Sequence, residues 1–148
     1  MEETQQFVSF LQSCITPVAL MSGVGLLLLT ITNRLGRTVD RTRQLVAELD
    51  KENTGRRLNK ENEIRILYQR SRYLRNSIGA MVLCVISSSL IIPVLFFMNL
   101  FIIDLRLTGY LLFVVSILSI LVSLIYFFRD VMLSLHAIKL EAKDYLDK

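Results

Sequence analysis

Three long stretches of the chain carry no Asp, Glu, Lys or Arg: residues 4–33, 76–103 and 107–128. An α-helix rises about 1.5 Å per residue, so roughly 20 residues cross the hydrocarbon core of a bilayer. All three stretches are long enough. They predict transmembrane helices over about 10–33, 77–103 and 107–128. A soluble protein of 148 residues would have too little polar surface left to cover three such runs.

The pattern changes where the charges begin. Leu35, Val39, Thr42, Val46 and Leu49 recur at alternating spacings of four and three, which puts them on one helical stripe, with Arg34, Arg37 and Arg41 on another face. Asn53-Thr54-Gly55 reads as a turn, and Asn59 as the cap of a second helix with Glu61 and Glu63 in its first turn. Ile64, Leu67, Ser71, Leu74 and Ile78 repeat the spacing, as do Val131, Leu135, Ile138, Ala142 and Tyr145. The expected fold is therefore all-α and a single membrane domain over 1–148. Its three transmembrane helices extend into amphipathic cytoplasmic helices, a hairpin over about 34–76 and a C-terminal helix over about 129–146. Coiled-coil-like seams of this kind are expected to pack on one another as a small bundle, or to leave one seam for another subunit.

Charge sets the expected orientation. The 34–76 segment holds 12 of the 17 Lys and Arg residues, whereas the connection at 104–106 has only Arg106. Positive charge stays on the cytoplasmic side, so three spans place the N-terminus outside and the C-terminus inside. The start, MEETQQ, is acidic and polar where a cleavable signal peptide would be basic, so the first run is expected to persist as a span. Next to an anionic leaflet, each juxtamembrane Lys or Arg contributes about 1 kcal/mol to surface attraction. Few aromatics accompany these arginines, so anionic headgroups at the cytoplasmic face are the expected partner and nucleic acid is not.

Within the spans, small residues mark expected packing faces: Ala19 and Gly23 on the first, Ala80, Cys84 and Ser88 on the second, and Ser119 and Ser123 on the third. The short 104–106 connection makes the second and third spans an antiparallel hairpin. On this reading Ala80, Cys84 and Ser88 face Ser119 and Ser123. Pro17 and Pro93 each remove a helical hydrogen bond, and a kink is expected over 89–93, where the Ser89 carbonyl loses its partner. Asn99 reads as a satisfied interhelical contact. Cys14 and Cys84 are expected to differ in depth by more than roughly 10 Å, too far for a disulfide.

No phosphate loop, nucleophile elbow, HExxH or paired carboxylates occur, and the lone His136 has no Cys or His at metal-ligand spacing. No catalytic activity, cofactor or metal is expected. The absence of charge in the spans argues against a proton-coupled transporter or a voltage sensor. What remains is a non-catalytic module that binds copies of itself or another membrane protein. The alternative is a subunit of an oligomeric ion channel, with Asp104 as a possible pore mouth.

The segments P-V-A-L-x-S-x-x-G-L-L-L-L at 17–29, N-R-L-G-R-T-V-D-R-T-R-Q-L at 33–45 and L-F-V-V-S-I-L-S-I-L-V-S-L-I-Y-F-F-R-D-V-M-L-S-L-H-A-I-K-L-E at 112–141 together resemble a bacterial family of small multi-span membrane proteins, domain-of-unknown-function family 2721. The resemblance implies an integral protein of the bacterial inner membrane and supplies no activity. Its motif positions are Asn33, Arg34, Arg37, Asp40, Arg41 and Arg43, then Arg129 and Asp130. Asp130 is expected to meet the arginine cluster, and Asp40 to meet Arg129 or an arginine of 70–75. An equal alternative is that both aspartates are independent interfacial charges.

Overall fold

The computed structural model describes residues 2–49, 54–101 and 104–146, with side chains at 5, 8–49, 60–98, 100 and 104–135. Three helices account for all of these but 104 and 105: α1 (Glu2–Leu49), α2 (Thr54–Phe101) and α3 (Arg106–Leu146). They contain 48, 48 and 41 residues, about twice or more what a bilayer core requires. Each runs unbroken from its uncharged stretch into a charged one, and all three are long and apolar enough to cross a membrane.

Both prolines sit inside helices that continue through them; Pro17 is buried and Pro93 exposed, with Ser89 exposed beside it. Asn59 lies within α2, because that helix already starts at Thr54; a cap at Asn59 is thereby replaced by an earlier start. Asn53 of the expected turn lies outside the described residues. So do the side chains of Asn99, His136, Ile138, Ala142 and Tyr145. Between α2 and α3, the backbone N–H of Arg106, the first residue of α3, donates to Asp104 Oδ1 at 3.3 Å, so a side-chain oxygen satisfies one of the helix's unpaired first-turn donors.

The chain divides into two compact units, each built from one part of every helix. Unit 1 comprises Met1–Leu29 and Gly79–Val122; unit 2 comprises Thr30–Ile78 and Ser123–Lys148.

Polarity in unit 1 is reversed relative to a soluble domain. Its buried positions include Ser87, Ser88, Ser116 and Ser119 alongside Val24, Met81, Cys84 and Ile91. Its exposed positions include Leu26, Leu83, Ile86, Leu90, Phe96, Leu107, Leu111 and Leu118. An apolar surface this continuous is unstable in water and ordinary in lipid, where helices associate through close packing of small residues instead.

Buried positions recur at sevens on α1: Pro17 and Val24 in unit 1, then Ile31, Thr38 and Leu45 in unit 2. On α2, Leu67, Leu74 and Ser77 in unit 2, then Met81, Cys84, Ser88 and Ile91 in unit 1, repeat at sevens, threes and fours. Ser116 and Ser119 in unit 1, then Ser123 and Asp130 in unit 2, do so on α3. These stripes correct three sequence expectations. The centre of the α1 stripe falls on Thr38 and Leu45, one residue before Val39 and Val46, so Val46 is 48% exposed. Leu135 on α3 is also exposed, because Asp130 takes the inward position there. Ala19 and Gly23 face outward, since Pro17 and Val24 hold the packed face of α1.

Candidate functional site: a three-helix charge clasp and a serine seam

Asp130 is the fully buried carboxylate of unit 2 among the described residues. Position 130 lies seven residues after Ser123 and fourteen after Ser116, so the helix repeat carries it inward. Burying a carboxylate alone is prohibitively costly, and two cations meet it here. Arg70 of α2 donates from Nε to Oδ1 at 3.1 Å. Arg34 of α1 brings Nη2 to 3.1 Å from Oδ2. No N–H of Arg34 is aligned on that oxygen, so the contact is an ion pair without a hydrogen bond, and Oδ2 has no hydrogen-bond partner among the described residues. One charged residue from each helix thus meets at a single point. The two guanidiniums and one carboxylate sum to one positive charge.

The surroundings hold this point in place. Arg34 lies 5.3 Å from the centroid of the Phe127 ring, a cation–π distance that shields the guanidinium from one side. Tyr73 of α2 stacks on Tyr126 of α3, with ring centroids 6.5 Å apart. The Thr38 hydroxyl donates to the Arg34 carbonyl at 3.0 Å, satisfying its own burial within the helix.

About two turns from Arg70 along α2, the backbones of α2 and α3 come close. The Ser77 hydroxyl donates to the Ser123 carbonyl, and the Ser123 hydroxyl donates to the Ser77 carbonyl, each at 2.8 Å. The two oxygens are themselves 2.8 Å apart. Serine is small enough to permit the approach and polar enough to hold it. Unit 1 has its own serine contact: Ser88 Oγ donates to Ser116 Oγ at 3.2 Å, and Ser116 donates onward to the Leu112 carbonyl at 2.9 Å. Cys84 Sγ lies 4.0 Å from the Ser88 hydroxyl.

Cys84, Ser88, Ser119 and Ser123 of the expected face are buried, and the hydroxyl pairs run through Ser77 and Ser116, outside the expected set. Ser88 meets Ser116, one turn from Ser119, which is buried on the same stripe. Ser123 meets Ser77, and Ala80 is only half-buried. Spacing within one helix identifies the face; how far one helix slides along the other is decided by the hydroxyl pairs.

The rest of the arginine cluster behaves differently from Arg34. Arg37, Arg43 and Arg129 are exposed, as is Asp40, for which no ion pair occurs among the described residues. Arg41 pairs with Glu63 at 3.2 Å and Lys60 with Glu48 at 3.0 Å, tying α1 to α2 at the surface. The hydrogen bond and charge of Lys60 hold the Glu48 carboxyl below its usual 4.5. Arg70 pairs with Asp130, whereas the sequence offered an arginine of 70–75 to Asp40; Ser77, Ser116 and Phe127 complete the site without having stood out in the sequence. The seven-residue steps 116, 123 and 130 are the one sequence signal that could have marked Asp130 as a buried group.

Asp104 is exposed, caps α3, and stands 3.7 Å from the Arg106 guanidinium. Cys14 and Cys84 are free thiols. Among the described residues no group of His, Cys, Asp or Glu is placed to hold a metal ion. Grooves open along the helices among the described residues. One, of about 520 Å³ in unit 2, lies between α1 and α2 and is lined by Val39, Thr42, Arg43, Val46, Ala47, Tyr68 and Ser71. Another, also of about 520 Å³, lies in unit 1 against all three helices.

Residues 14–140 match the sequence profile of a family described as "Protein of unknown function (DUF2721)". No curated protein and no solved structure matches the chain.

Proposed function

The chain belongs to the DUF2721 family of proteins of unknown function, and from that premise we propose that it is a non-catalytic, self-associating module of the bacterial inner membrane. Its spans place the N-terminus outside and the charged unit 2 in the cytoplasm, where the exposed arginines lie against anionic headgroups. Nucleic acid is not a partner, and the occupant of unit 2 is a second copy of this chain.

The observation that carries this reading is an apolar groove between α1 and α2 together with exposed apolar side chains on α3, both in unit 2. Val46 and Tyr68 are 48% and 62% exposed at the α1–α2 groove. Met132 and Leu135 are exposed on α3, on the face turned away from the buried Asp130. These apolar side chains lie beyond the uncharged stretches 4–33, 76–103 and 107–128. Seating the exposed α3 side chains in the groove of the next copy makes a head-to-tail contact, which closes into a ring where the rotation between copies closes. Coiled-coil-like packing between copies would use the same three-and-four spacing that packs each bundle.

A central opening in such a ring is what an ion channel would need. Asp104 lends that alternative little support, because its carboxylate already caps α3 and neighbours Arg106.

The test is to co-express two differently tagged forms, Val46→Cys and Leu135→Cys, in a Cys14→Ala, Cys84→Ala background. A disulfide joining the two tags supports head-to-tail association. Crosslinking only between identical forms, or none, removes it.

A further inference from the structure

We propose that the unit 1 groove is a specific site for one anionic phospholipid, with its phosphate at Arg106 and an acyl chain along Leu20, Ile91, Leu95 and Phe113. The proposal needs the chain to sit in a bilayer and is independent of self-association.

Size and polarity both fit. The groove holds about 520 Å³, within the roughly 300–1,000 Å³ of sites that take small organic ligands. Its walls are almost wholly apolar, and its polar groups are Ser13, Thr16, Tyr110 and the single cation Arg106. An apolar trough with a guanidinium at its rim, shared with Asp104 at 3.7 Å, complements an amphiphile with an anionic headgroup.

A backbone carbonyl at the same place is free to accept from a headgroup. Pro17 has no N–H, so the Ser13 carbonyl lacks its helical partner. Ser13 and Pro17 both line the groove. The Ser13 hydroxyl is already committed to the Ser9 carbonyl at 2.9 Å. In hydrocarbon an unmatched carbonyl is costly, and a headgroup hydroxyl or ammonium satisfies it. A phosphate with such a donor beside it therefore matches the two polar features together, which a bare acyl chain does not.

Gly109 keeps the trough open. A Cβ added there meets nothing within 4 Å, so a longer side chain at that position grows into the groove rather than into protein. Asp104, 3.7 Å from Arg106, competes with the phosphate for the guanidinium.

Native mass spectrometry of the full chain in mild detergent tests this, with phosphatidylglycerol and phosphatidylcholine of equal chain length as probes. One phosphatidylglycerol per chain is expected to bind in preference to phosphatidylcholine. Arg106→Gln should cut that preference about fivefold, the loss of about 1 kcal/mol of cation attraction. Asp104→Asn should raise it, and Gly109→Leu should abolish binding of both lipids while the protein keeps its helical circular dichroism. Lipid binding unchanged by Arg106→Gln and Gly109→Leu would overturn the site. So would a groove filled by protein, seen as a changed subunit number in Gly109→Leu with no change in lipid stoichiometry.

Discussion

Arg70 Nε donates to Asp130 Oδ1 at 3.1 Å between residues sixty positions apart in the chain. That bond, with the Arg34 contact to the other carboxylate oxygen, joins all three helices of unit 2 through one buried side chain. Its energetic weight lies in what happens when one member is lost.

Asp130→Asn removes the carboxylate that two half-buried guanidiniums share. Breaking a buried pair from one side typically costs about 3–5 kcal/mol, whereas replacing all members by apolar residues of similar volume is often neutral. Denaturation in mild detergent should show Asp130→Asn strongly destabilised and the triple variant Arg34→Met, Arg70→Met, Asp130→Leu substantially closer to the native protein. Equal stability of Asp130→Asn and the native chain would show that the clasp carries no energy.

The reciprocal Ser77–Ser123 bonds act as a unit. Interhelical hydrogen bonds in membranes average about 0.6 kcal/mol and reach roughly 1.7. Ser77→Ala and Ser123→Ala should each lose an amount in that range. The double variant should lose less than the sum, because each single change already empties part of the shared contact. Additive losses in a double-mutant cycle would mean that the two hydroxyls do not cooperate.

Glu48 gives a signed pH dependence. Its carboxyl is held below 4.5 by the Lys60 hydrogen bond and charge, so its folded value is lower than its unfolded one. The contribution is then fully present above the unfolded value and is lost as pH falls through the folded value. The gap in Tm between the native chain and Glu48→Gln should be constant from neutral pH down towards the unfolded value of 4.5 and close as pH falls through the lower folded value. A gap that widens on acidification would contradict the pairing.

Gly23 separates two accounts of α1. It is exposed, and a Cβ there meets nothing within 4 Å. Gly23→Leu should change stability by no more than about 0.5 kcal/mol, as surface substitutions usually do. Ser88→Leu, at a buried serine, should cost at least about 1–3 kcal/mol through overpacking. A large loss in Gly23→Leu measured by the same unfolding titration would place α1 with its small residues inward after all.

The three apolar helices could be read from the sequence because twenty or more successive residues without charge have the length and polarity that a bilayer core demands of a helix. The packed faces were legible only in part. On α2 and α3, Cys84, Ser88, Ser119 and Ser123 stand inward as their spacing indicates, but the partners are set by axial sliding, and no spacing along a single helix encodes that. On α1 the small residues pointed the wrong way: Pro17 and Val24 occupy the packed face, and Gly23 the surface. In the sequence Asp130 reads either as a partner of the arginine cluster or as an independent interfacial charge, and the structure sets it against Arg34 of that cluster. Only its place in the 116, 123, 130 series distinguishes it from its exposed neighbour Arg129.

The most direct measurement of the self-association account is native mass spectrometry of the purified full chain in lipid nanodiscs. Head-to-tail seating of the α3 ridge in the α1–α2 groove predicts a closed ring of three or more subunits that Leu135→Glu dissociates to monomers. A native chain that is monomeric, or a dimer indifferent to Leu135→Glu, would contradict it.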